Sequence, residues 1–191
     1  SNFNLLVRPG EFLSILGRSG AGKTTALRVV AGLEEVSSGY VRVGGQLVGS
    51  SFVHVPADQR RIGLVFQDYA LFPHLSVERN VEFGLKDLSA EEKSARISSV
   101  LEMVGMSGYE ARYVHEISGG QQQRVGVARA LAADPSYLLM DEPFGALDAI
   151  TRDILQREFL ELKKKLNKTV VFVTHDIVEA LVLSDRIAVL H

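Results

Sequence analysis

The chain of 191 residues contains no cysteine, so disulfide bonds and catalysis by a thiol are both excluded. It also contains no apolar run long enough to span a bilayer and no signal-peptide pattern at its N-terminus, so a role at a membrane requires a partner. The formal net charge is only −2, which provides no general attraction to nucleic acid or to an anionic membrane. What remains is a chain of ordinary composition with the length of one α/β domain.

The sequence GRSGAGKTT, which begins at Gly17, matches the phosphate-loop pattern G-x-x-x-x-G-K-[ST] at every position. Gly17, Gly20 and Gly22 are predicted to adopt positive φ angles, which would let backbone amides point at phosphate oxygens. Lys23 would bring a positive charge to the outer phosphates, and the Thr24 hydroxyl would be a hard oxygen ligand for Mg²⁺. The residues predicted to bind a nucleotide here are Gly17, Arg18, Ser19, Gly20, Ala21, Gly22, Lys23, Thr24 and Thr25.

The neighbouring sequence decides between a phosphate loop and an ordinary glycine-rich turn. An apolar segment, FLSIL, precedes the motif, and a helical pattern that ends at Gly32 follows it. Strand, loop and helix therefore stand in the required order, with the helix dipole directed at the bound anion. Upstream, the alternation of Phe3, Leu5 and Val7 predicts a strand that pairs back against this one, and a second hairpin is predicted at Gly44.

Three further apolar segments, IGLVF, YLLM and TVVFV, are predicted as interior strands, and each is followed by polar side chains. Gln67 follows the first, Asp141 and Glu142 the second, and His175 the third. Because ligands of open α/β sheets bind outside the carboxyl ends of the strands, these groups are expected to gather around the phosphate loop. Asp141 is predicted to hold the Mg²⁺ shell opposite Thr24. Glu142 is predicted to orient and deprotonate a water, with a solvent-facing acidic strand end as the alternative.

Between the strand segments, the region from residue 68 to residue 124 has helical periodicity and no β-like run. Ser89 with Glu92 three positions later predicts a capping box at the start of one of its helices. The sequence therefore predicts one domain over residues 1–191, in which 1–67 and 125–191 form the core and 68–124 form an inserted helical subdomain.

A second motif for phosphate binding, SGGQ, begins at Ser118. Ser118 can cap a helix, Gly119 and Gly120 would leave amides open to phosphate, and Gln121 would add a side-chain donor. With this motif the chain resembles the ATP-binding cassette (ABC) ATPases, whose signature LSGGQ is matched except for Ile117 in place of Leu. In that family two subunits pair head to tail, and the signature of each closes on the nucleotide held by the other.

The resemblance extends over essentially the whole chain and includes six motifs in the family's order. It implies an α/β fold, a P-loop NTPase with a RecA-like, mainly parallel core sheet, a small antiparallel β element and an inserted α-helical subdomain. It also implies Mg²⁺ and ATP as cofactors, with Gln67 in the Q-loop, Asp148 in the D-loop and His175 as the switch histidine. The implied catalytic residues are Glu142, His175, Gln67 and Lys23; the further nucleotide-binding residues are Ser118, Gly119, Gly120, Gln121 and Asp148; and the metal ligands are Thr24, Gln67 and Asp141.

The sequence departs from the family's pattern at both ends. The aromatic residue on which the family usually stacks adenine lies in a loop well upstream of the phosphate loop, whereas this chain begins only a short distance before it. The family also continues beyond the strand that ends near His191. We therefore expect the chain to be truncated at both ends, and the sequence leaves open how adenine is held.

Within the family, FQDYALFPHLSVERNV resembles importer subunits for iron(III), polyamines, sulfate, molybdate or maltose, whereas EPFGALDAITRDILQ is more similar to the glycine betaine group. The resemblance implies an ATP-hydrolysing importer subunit at the cytoplasmic face of a bacterial membrane. Its implied partners are a second ATPase subunit, permease subunits and, indirectly, a solute-binding protein, and no nucleic acid is expected. The solute stays open. One alternative is a non-transport ABC ATPase that acts on DNA or ribosomes; another is a regulatory module without turnover.

One loop of the helical region is a candidate for the permease contact. Tyr69, Leu71 and Phe72 form an apolar run next to Gln67, in a segment predicted as an exposed loop. Exposed apolar groups of this kind are typical of a partner surface, and packing inside the subdomain is the alternative.

Overall fold

The computed structural model describes residues 3 to 85 and 87 to 190, and its central feature is a five-stranded sheet with only parallel pairs. The strands of the described residues are β1 (Phe12–Gly17), β2 (Tyr40–Val43), β3 (Gln46–Ser50), β4 (Ile62–Val65), β5 (Tyr137–Asp141), β6 (Thr169–Thr174) and β7 (Arg186–Leu190). The sheet has the spatial order β4-β5-β6-β1-β7. This arrangement confirms the predicted fold class with its mainly parallel core sheet.

The three central strands are apolar on both faces because the sheet is covered on both sides. Phe12 of β1 belongs to a large cluster with the helices of one side, whereas Leu13 and Ile15 belong to a second cluster on the opposite side. Such near-continuous apolar runs are typical of parallel strands buried between two layers. β4 is also apolar, but it lies at the edge of the sheet, so the prediction of an interior strand is wrong there.

Helices α1 (Lys23–Ala31), α2 (Val77–Glu82), α3 (Ala90–Met103), α4 (Gly119–Ala132), α5 (Ala149–Lys165) and α6 (Ile177–Leu183) accompany the strands. The predicted capping box of Ser89 and Glu92 starts α3, with the hydrogen bonds to both backbone amides present. Helix α4 runs through the boundary predicted between residues 124 and 125, and the division into core and subdomain stays a prediction. Within the described residues, no helix has the length and apolarity needed to cross a membrane.

The small antiparallel sheet consists of β2 and β3 only. Gly44 and Gly45 form its turn with φ angles of 57° and 81°, as expected for the predicted hairpin. The other predicted hairpin, between the N-terminal segment and β1, is wrong. Both edges of β1 already pair with β6 and β7, so no edge is left for an antiparallel strand. The upstream alternation has another cause, since Leu5 and Val7 pack onto the second apolar cluster.

Candidate nucleotide site

The candidate site lies at the C-terminal ends of the three central strands, where β1, β5 and β6 end. Their last residues are Gly17, Asp141 and Thr174, and the parallel registers place these three ends on the same side of the sheet. The phosphate-loop motif follows the first, Glu142 follows the second and His175 follows the third. Chain segments that are far apart in sequence therefore meet at these strand ends, as the sequence predicted.

The phosphate loop leads into a helix whose N-terminus has no side-chain cap. Gly22 occupies the N-cap position of α1, and no side-chain hydrogen bond satisfies the first amides. By contrast, α2, α3, α4, α5 and α6 are each capped by a serine or aspartate side chain. The first amides of a helix have no intrahelical partner, so at α1 they remain available to an external anion.

The three glycines of the loop have different roles. Gly20 and Gly22 have φ angles of 83° and 88°, and a Cβ atom at either position would meet nothing within 4 Å. Backbone conformation therefore requires glycine there. Gly17 does not have a positive φ, so our prediction was wrong for this residue. A Cβ atom at Gly17 would lie 2.7 Å from the carbonyl oxygen of Leu190, so the close approach of β7 excludes a side chain.

Lys23 is 4 % exposed, and its ammonium group lies inside the loop. Nζ donates hydrogen bonds of 2.8 Å and 3.0 Å to the carbonyl oxygens of Gly17 and Arg18. It also lies 4.0 Å from Oε1 of Glu142. Lys23 therefore places a positive charge between the loop backbone and the carboxylate that follows β5.

Thr24 and Asp141 bring two hard oxygen atoms together across the site. The Thr24 hydroxyl donates a 3.0 Å hydrogen bond to Oδ1 of Asp141. Burial raises the pKa of Asp141, and the hydrogen bond from Thr24 opposes this rise. The described residues contain no cluster of three or more His, Cys, Asp or Glu side chains that could hold a metal ion by themselves. A hydroxyl and a carboxylate nevertheless suit Mg²⁺, which prefers oxygen ligands and often binds through few protein groups and a phosphate.

Glu142 and His175 form a direct pair, with Oε2 of the carboxylate 3.0 Å from Nδ1 of the imidazole. Glu142 has a φ angle of 43°, an unfavourable region for a residue with a side chain. Its amide donates to the carbonyl oxygen of Val173 in β6, which fixes this conformation. A Cβ atom at Gly145 would lie 3.4 Å from Oε2 of Glu142, so glycine at this position leaves space around the carboxylate.

The structure leaves Gln67 outside this hydrogen-bonded group. The side chain is exposed in the turn after β4. The next residues, Tyr69 and Ala70, have φ angles of 59° and 45°, and their carbonyl oxygens accept hydrogen bonds from Arg129 of α4. Tyr69 is only 5 % exposed, so the expectation that it forms part of an exposed apolar run is wrong. The reason is that Tyr69 packs against Gly126, where α4 has no side chain in the way.

The SGGQ segment forms the N-terminus of α4 and packs against the beginning of α5. A Cβ atom at Gly119 would lie 3.7 Å from Leu147, whereas one at Gly120 would lie only 3.0 Å from Thr151, so the close approach of α5 favours glycine at position 120. Ser118 accepts a hydrogen bond from the Gln121 amide, and the Gln121 side-chain oxygen accepts one from the Ser118 amide. Both side chains therefore cap their own helix in this chain.

Asp148 likewise has a local role, as the N-cap of α5. Its carboxylate accepts hydrogen bonds from the amides of Ile150 and Thr151. The hydrogen bonding to Thr151 lowers the pKa of Asp148, in agreement with a carboxylate that stays ionised at the helix N-terminus. A role in nucleotide binding stays a prediction for this residue.

Two arginines that hold the loops of the site were not identified from the sequence. Arg129 binds the loop after Gln67, and Arg152 of α5 binds the turn after Glu142. Neither belongs to the motifs that carry the chemistry, and a helical arginine in a sequence is ordinarily an exposed charge. Only the folded structure shows that their donors point at loop carbonyls.

Comparisons with known proteins agree with this geometry. A sequence profile for the family described as "ABC transporter" matches residues 1–145. The chain is 47 % identical to the Fe(3+) ions import ATP-binding protein FbpC 2 of Rhizobium meliloti (strain 1021), over 100 % of this chain and 48 % of that protein. It is 49 % identical to the spermidine/putrescine import ATP-binding protein PotA of Pasteurella multocida (strain Pm70), over 99 % of this chain and 50 % of that protein. The chain thus spans about half the length of the curated relatives it matches.

Solved structures show the same fold. The dimeric post-hydrolysis state of the ATP-binding cassette MJ0796 bound to ADP and Pi superimposes with a TM-score of 0.83 at 36 % identity, covering 99 % of this chain and 84 % of that one. The structure of cbiO1 from Clostridium perfringens gives a TM-score of 0.85 at 29 % identity, covering 98 % and 76 %. The matched profile, the sequence identity over the whole of this chain and the shared fold together show that this chain belongs to the ABC transporter family of ATP-binding cassettes.

Proposed function

We propose that this chain binds and hydrolyses ATP with Mg²⁺, as part of a subunit that powers solute import through a membrane-embedded permease. The observation that carries the proposal is the chain of contacts that joins Lys23, Glu142 and His175 beside the Thr24–Asp141 pair. A phosphate loop alone would support binding only. A carboxylate held between a lysine and a histidine, next to an oxygen-rich metal position, also supports turnover.

In this proposal each side chain has a separate task. Lys23 and the uncapped amides of α1 bind the phosphates, and Thr24 and Asp141 hold the metal. Mg²⁺, when bound there, supplies positive charge that offsets the developing negative charge of the phosphates. Glu142 orients a water and accepts its proton, and His175 keeps the carboxylate in place through the 3.0 Å contact.

A Glu142→Gln variant tests this assignment. We expect it to bind ATP as the parent does and to lose turnover by about 10² to 10⁴, the range typical of acid–base groups. Glu161→Gln is the matched control, since that carboxylate is exposed on α5 and, among the described residues, pairs with Lys164 alone. Binding is measured by calorimetry and turnover by phosphate release in the full-length protein. Near-parental turnover of Glu142→Gln would remove this residue from the mechanism.

The working form we propose is a head-to-tail dimer in which Ser118, Gly119, Gly120, Gln121 and Asp148 reach the nucleotide of the second subunit. Ser118 and Gly119 are exposed, and their segment contacts the start of α5 within its own chain. The MJ0796 cassette is described as dimeric, which supports the proposal by similarity. Ser118→Arg should abolish turnover, whereas Ser89→Arg, which removes the equivalent cap of α3, should not. Equal turnover in both variants would contradict the composite site.

The surface we propose for the permease is centred on Phe72, not on Tyr69. Phe72 is half-buried and lies 4.4 Å, centroid to centroid, from Phe83, which is 63 % exposed. His74 lies at the rim of the same pair. Together these aromatic side chains form an exposed patch beside the Gln67 loop. In this proposal the chain acts at the cytoplasmic face of the membrane. Gln67 senses the nucleotide and the metal, and a solute-binding protein acts through the permease.

Reconstitution with a permease distinguishes this proposal from a non-transport ATPase. We expect ATP turnover in liposomes to rise when a cognate permease is present, and Phe83→Ser to reduce this stimulation without changing basal turnover. Phe52→Ser, at a residue 96 % exposed near the β hairpin, is the control. Stimulation by DNA or ribosomes in place of the permease would favour the alternative function.

A further inference from the structure

Glu142 and His175 lie on two separate turns, and the structure holds each turn by its own hydrogen bonds. After Glu142, the amide of Gly145 donates to the Glu142 carbonyl oxygen over 3.0 Å. After His175, the amide of Asp176 donates to Oγ1 of Thr174 over 3.0 Å. Two described contacts join the segments where the turns begin: the Glu142 amide donates to the Val173 carbonyl oxygen over 3.0 Å, and Oε2 of Glu142 lies 3.0 Å from Nδ1 of His175. Both contacts involve Glu142 itself, so a connection further along the two turns would add to their relative positioning.

Arg152 in the first turns of α5 provides such a connection, because its three guanidinium nitrogens face both turns. Nη2 donates to the carbonyl oxygen of Leu147 over 2.9 Å, and Nε donates to that of Phe144 over 3.3 Å. Nη1 lies 3.8 Å from Oδ2 of Asp176 on the other turn. A planar guanidinium with several donors fixes the direction of each bond, which an ammonium group cannot do.

Because Arg152 lies near the start of α5, its contacts also connect the two turns to the N-terminus of that helix. Its amide donates to the carbonyl oxygen of Asp148 over 2.9 Å, so it belongs to the helical turn that Asp148 caps. Asp176 uses its other carboxylate oxygen to cap α6. Arg152 therefore joins one helix start to another, with the two turns of the site between them.

We propose that Arg152 is a positioning residue for ATP hydrolysis, which keeps Glu142 and His175 in register by binding both turns. The inference rests on the proposed function, since it concerns how Glu142 and His175 are positioned for ATP hydrolysis at that same site. Arg152 itself does not touch the Glu142 carboxylate in the described contacts, so it acts through the turns. Loss of Arg152 should therefore lower kcat and leave KM for ATP unchanged.

The test compares three substitutions in the full-length protein. Arg152→Gln should lower kcat by about ten- to a hundredfold, which is the effect of misplacing a catalytic group by about 1 Å. Asp176→Asn keeps an oxygen that can cap α6 but removes the charge facing Arg152, so it should lower kcat in the same direction and be non-additive with Arg152→Gln. Arg157→Gln, at an exposed arginine of α5 that pairs with Asp153, should change kcat by less than about twofold.

Amide exchange measured by NMR without nucleotide separates this inference from the proposed function. Arg152→Gln should increase exchange about tenfold at the Gly145 and Asp176 amides, which hold the two turns, whereas Arg157→Gln should not. If the parent shows no ATP turnover, the proposed function fails, while the exchange result still shows whether Arg152 holds the two turns together. Unchanged exchange, or increased exchange with parental kcat, overturns the positioning role. If Arg152→Gln does not fold, Arg152→Lys and Asp176→Asn give the same decision.

Discussion

Glu179 of α6 is a buried carboxyl group whose titration should make the stability of the fold depend on pH. The residue is 4 % exposed, and one carboxyl oxygen accepts a hydrogen bond from the Thr174 hydroxyl, whereas the other has no partner among the described residues. Burial raises the pKa of Glu179 from 4.5 to about 7, and the hydrogen bond from Thr174 opposes the rise. Asp176 also raises this pKa, while Arg152 and His175 lower it.

The sign follows from comparing proton binding in the two states. Between pH 4.5 and about 7 the folded chain keeps the proton of Glu179, while the unfolded chain releases it. The free energy of unfolding therefore falls as pH rises through this window and levels off above it. Because one pKa unit corresponds to about 1.4 kcal/mol, the total loss from this group is about 3 kcal/mol.

The assay is urea unfolding followed by circular dichroism, since the chain has no tryptophan to report by fluorescence. Parent and Glu179→Gln are compared at about pH 5 and about pH 8. The amide cannot titrate, so the stability of the variant relative to the parent should increase by up to about 3 kcal/mol between these pH values. Groups away from Glu179, such as Asp141, titrate alike in both proteins and cancel in the difference. A difference that does not change with pH would refute the reasoning.

Three further variants test the loops of the site. Lys23→Ala should weaken ATP binding about 10- to 100-fold by calorimetry, because a charge-assisted hydrogen bond contributes about 1.5 to 3 kcal/mol. Arg129→Gln should speed amide exchange after Gln67, since it releases two left-handed residues, and should cost about 2 kcal/mol of unfolding free energy. Gly17→Ala should cost about 1 to 3 kcal/mol by thermal unfolding, because its Cβ would overlap the backbone of β7.

Each of these variants has a matched control. Lys164→Ala removes an exposed lysine whose one ionic partner in the described part of the chain is Glu161, so an equal loss of affinity would show a nonspecific charge effect. Arg112→Gln removes an exposed arginine that pairs with Glu116, so the amides after Gln67 should exchange at the parental rate in this variant. Gly84→Ala adds a Cβ atom 3.5 Å from its nearest neighbour, and its stability should change little. If Gly17→Ala were as stable as Gly84→Ala, the steric account of Gly17 would be wrong.

The features that could be predicted from the sequence are those fixed by local residue pattern. The phosphate-loop motif predicted the strand, loop and helix around Lys23, and apolar runs predicted the strands before Asp141 and His175. These signals work because strand ends at one edge of a parallel sheet must meet, whatever the spacing in sequence. The capping box of Ser89 was predictable because it is a local pattern, which depends on two residues three positions apart.

What the sequence could not supply depends on neighbours that are distant in the chain. The alternation of Leu5 and Val7 is a real apolar pattern, but it serves packing, because β6 and β7 occupy both edges of β1. Tyr69 looked exposed because its segment is a loop, yet Gly126 on α4 gives it a place to pack. For Tyr69 the packing partner lies more than fifty residues away, and for Leu5 and Val7 the strands that occupy the edges of β1 come from the far end of the described chain.

The two helix N-termini that the sequence assigned to phosphate differ in one physical respect. The amides of α1 have no cap from this chain, so they can bind an anion without breaking a contact. At α4, the Ser118 hydroxyl and the Gln121 side-chain oxygen accept hydrogen bonds of 3.3 Å and 2.9 Å from each other's amides, and each side chain keeps a donor, the hydroxyl hydrogen or the NH2 group, for an anion. The two helix N-termini are therefore complementary: α1 offers uncapped backbone amides, whereas α4 offers side-chain donors that can bind an anion while their caps stay in place.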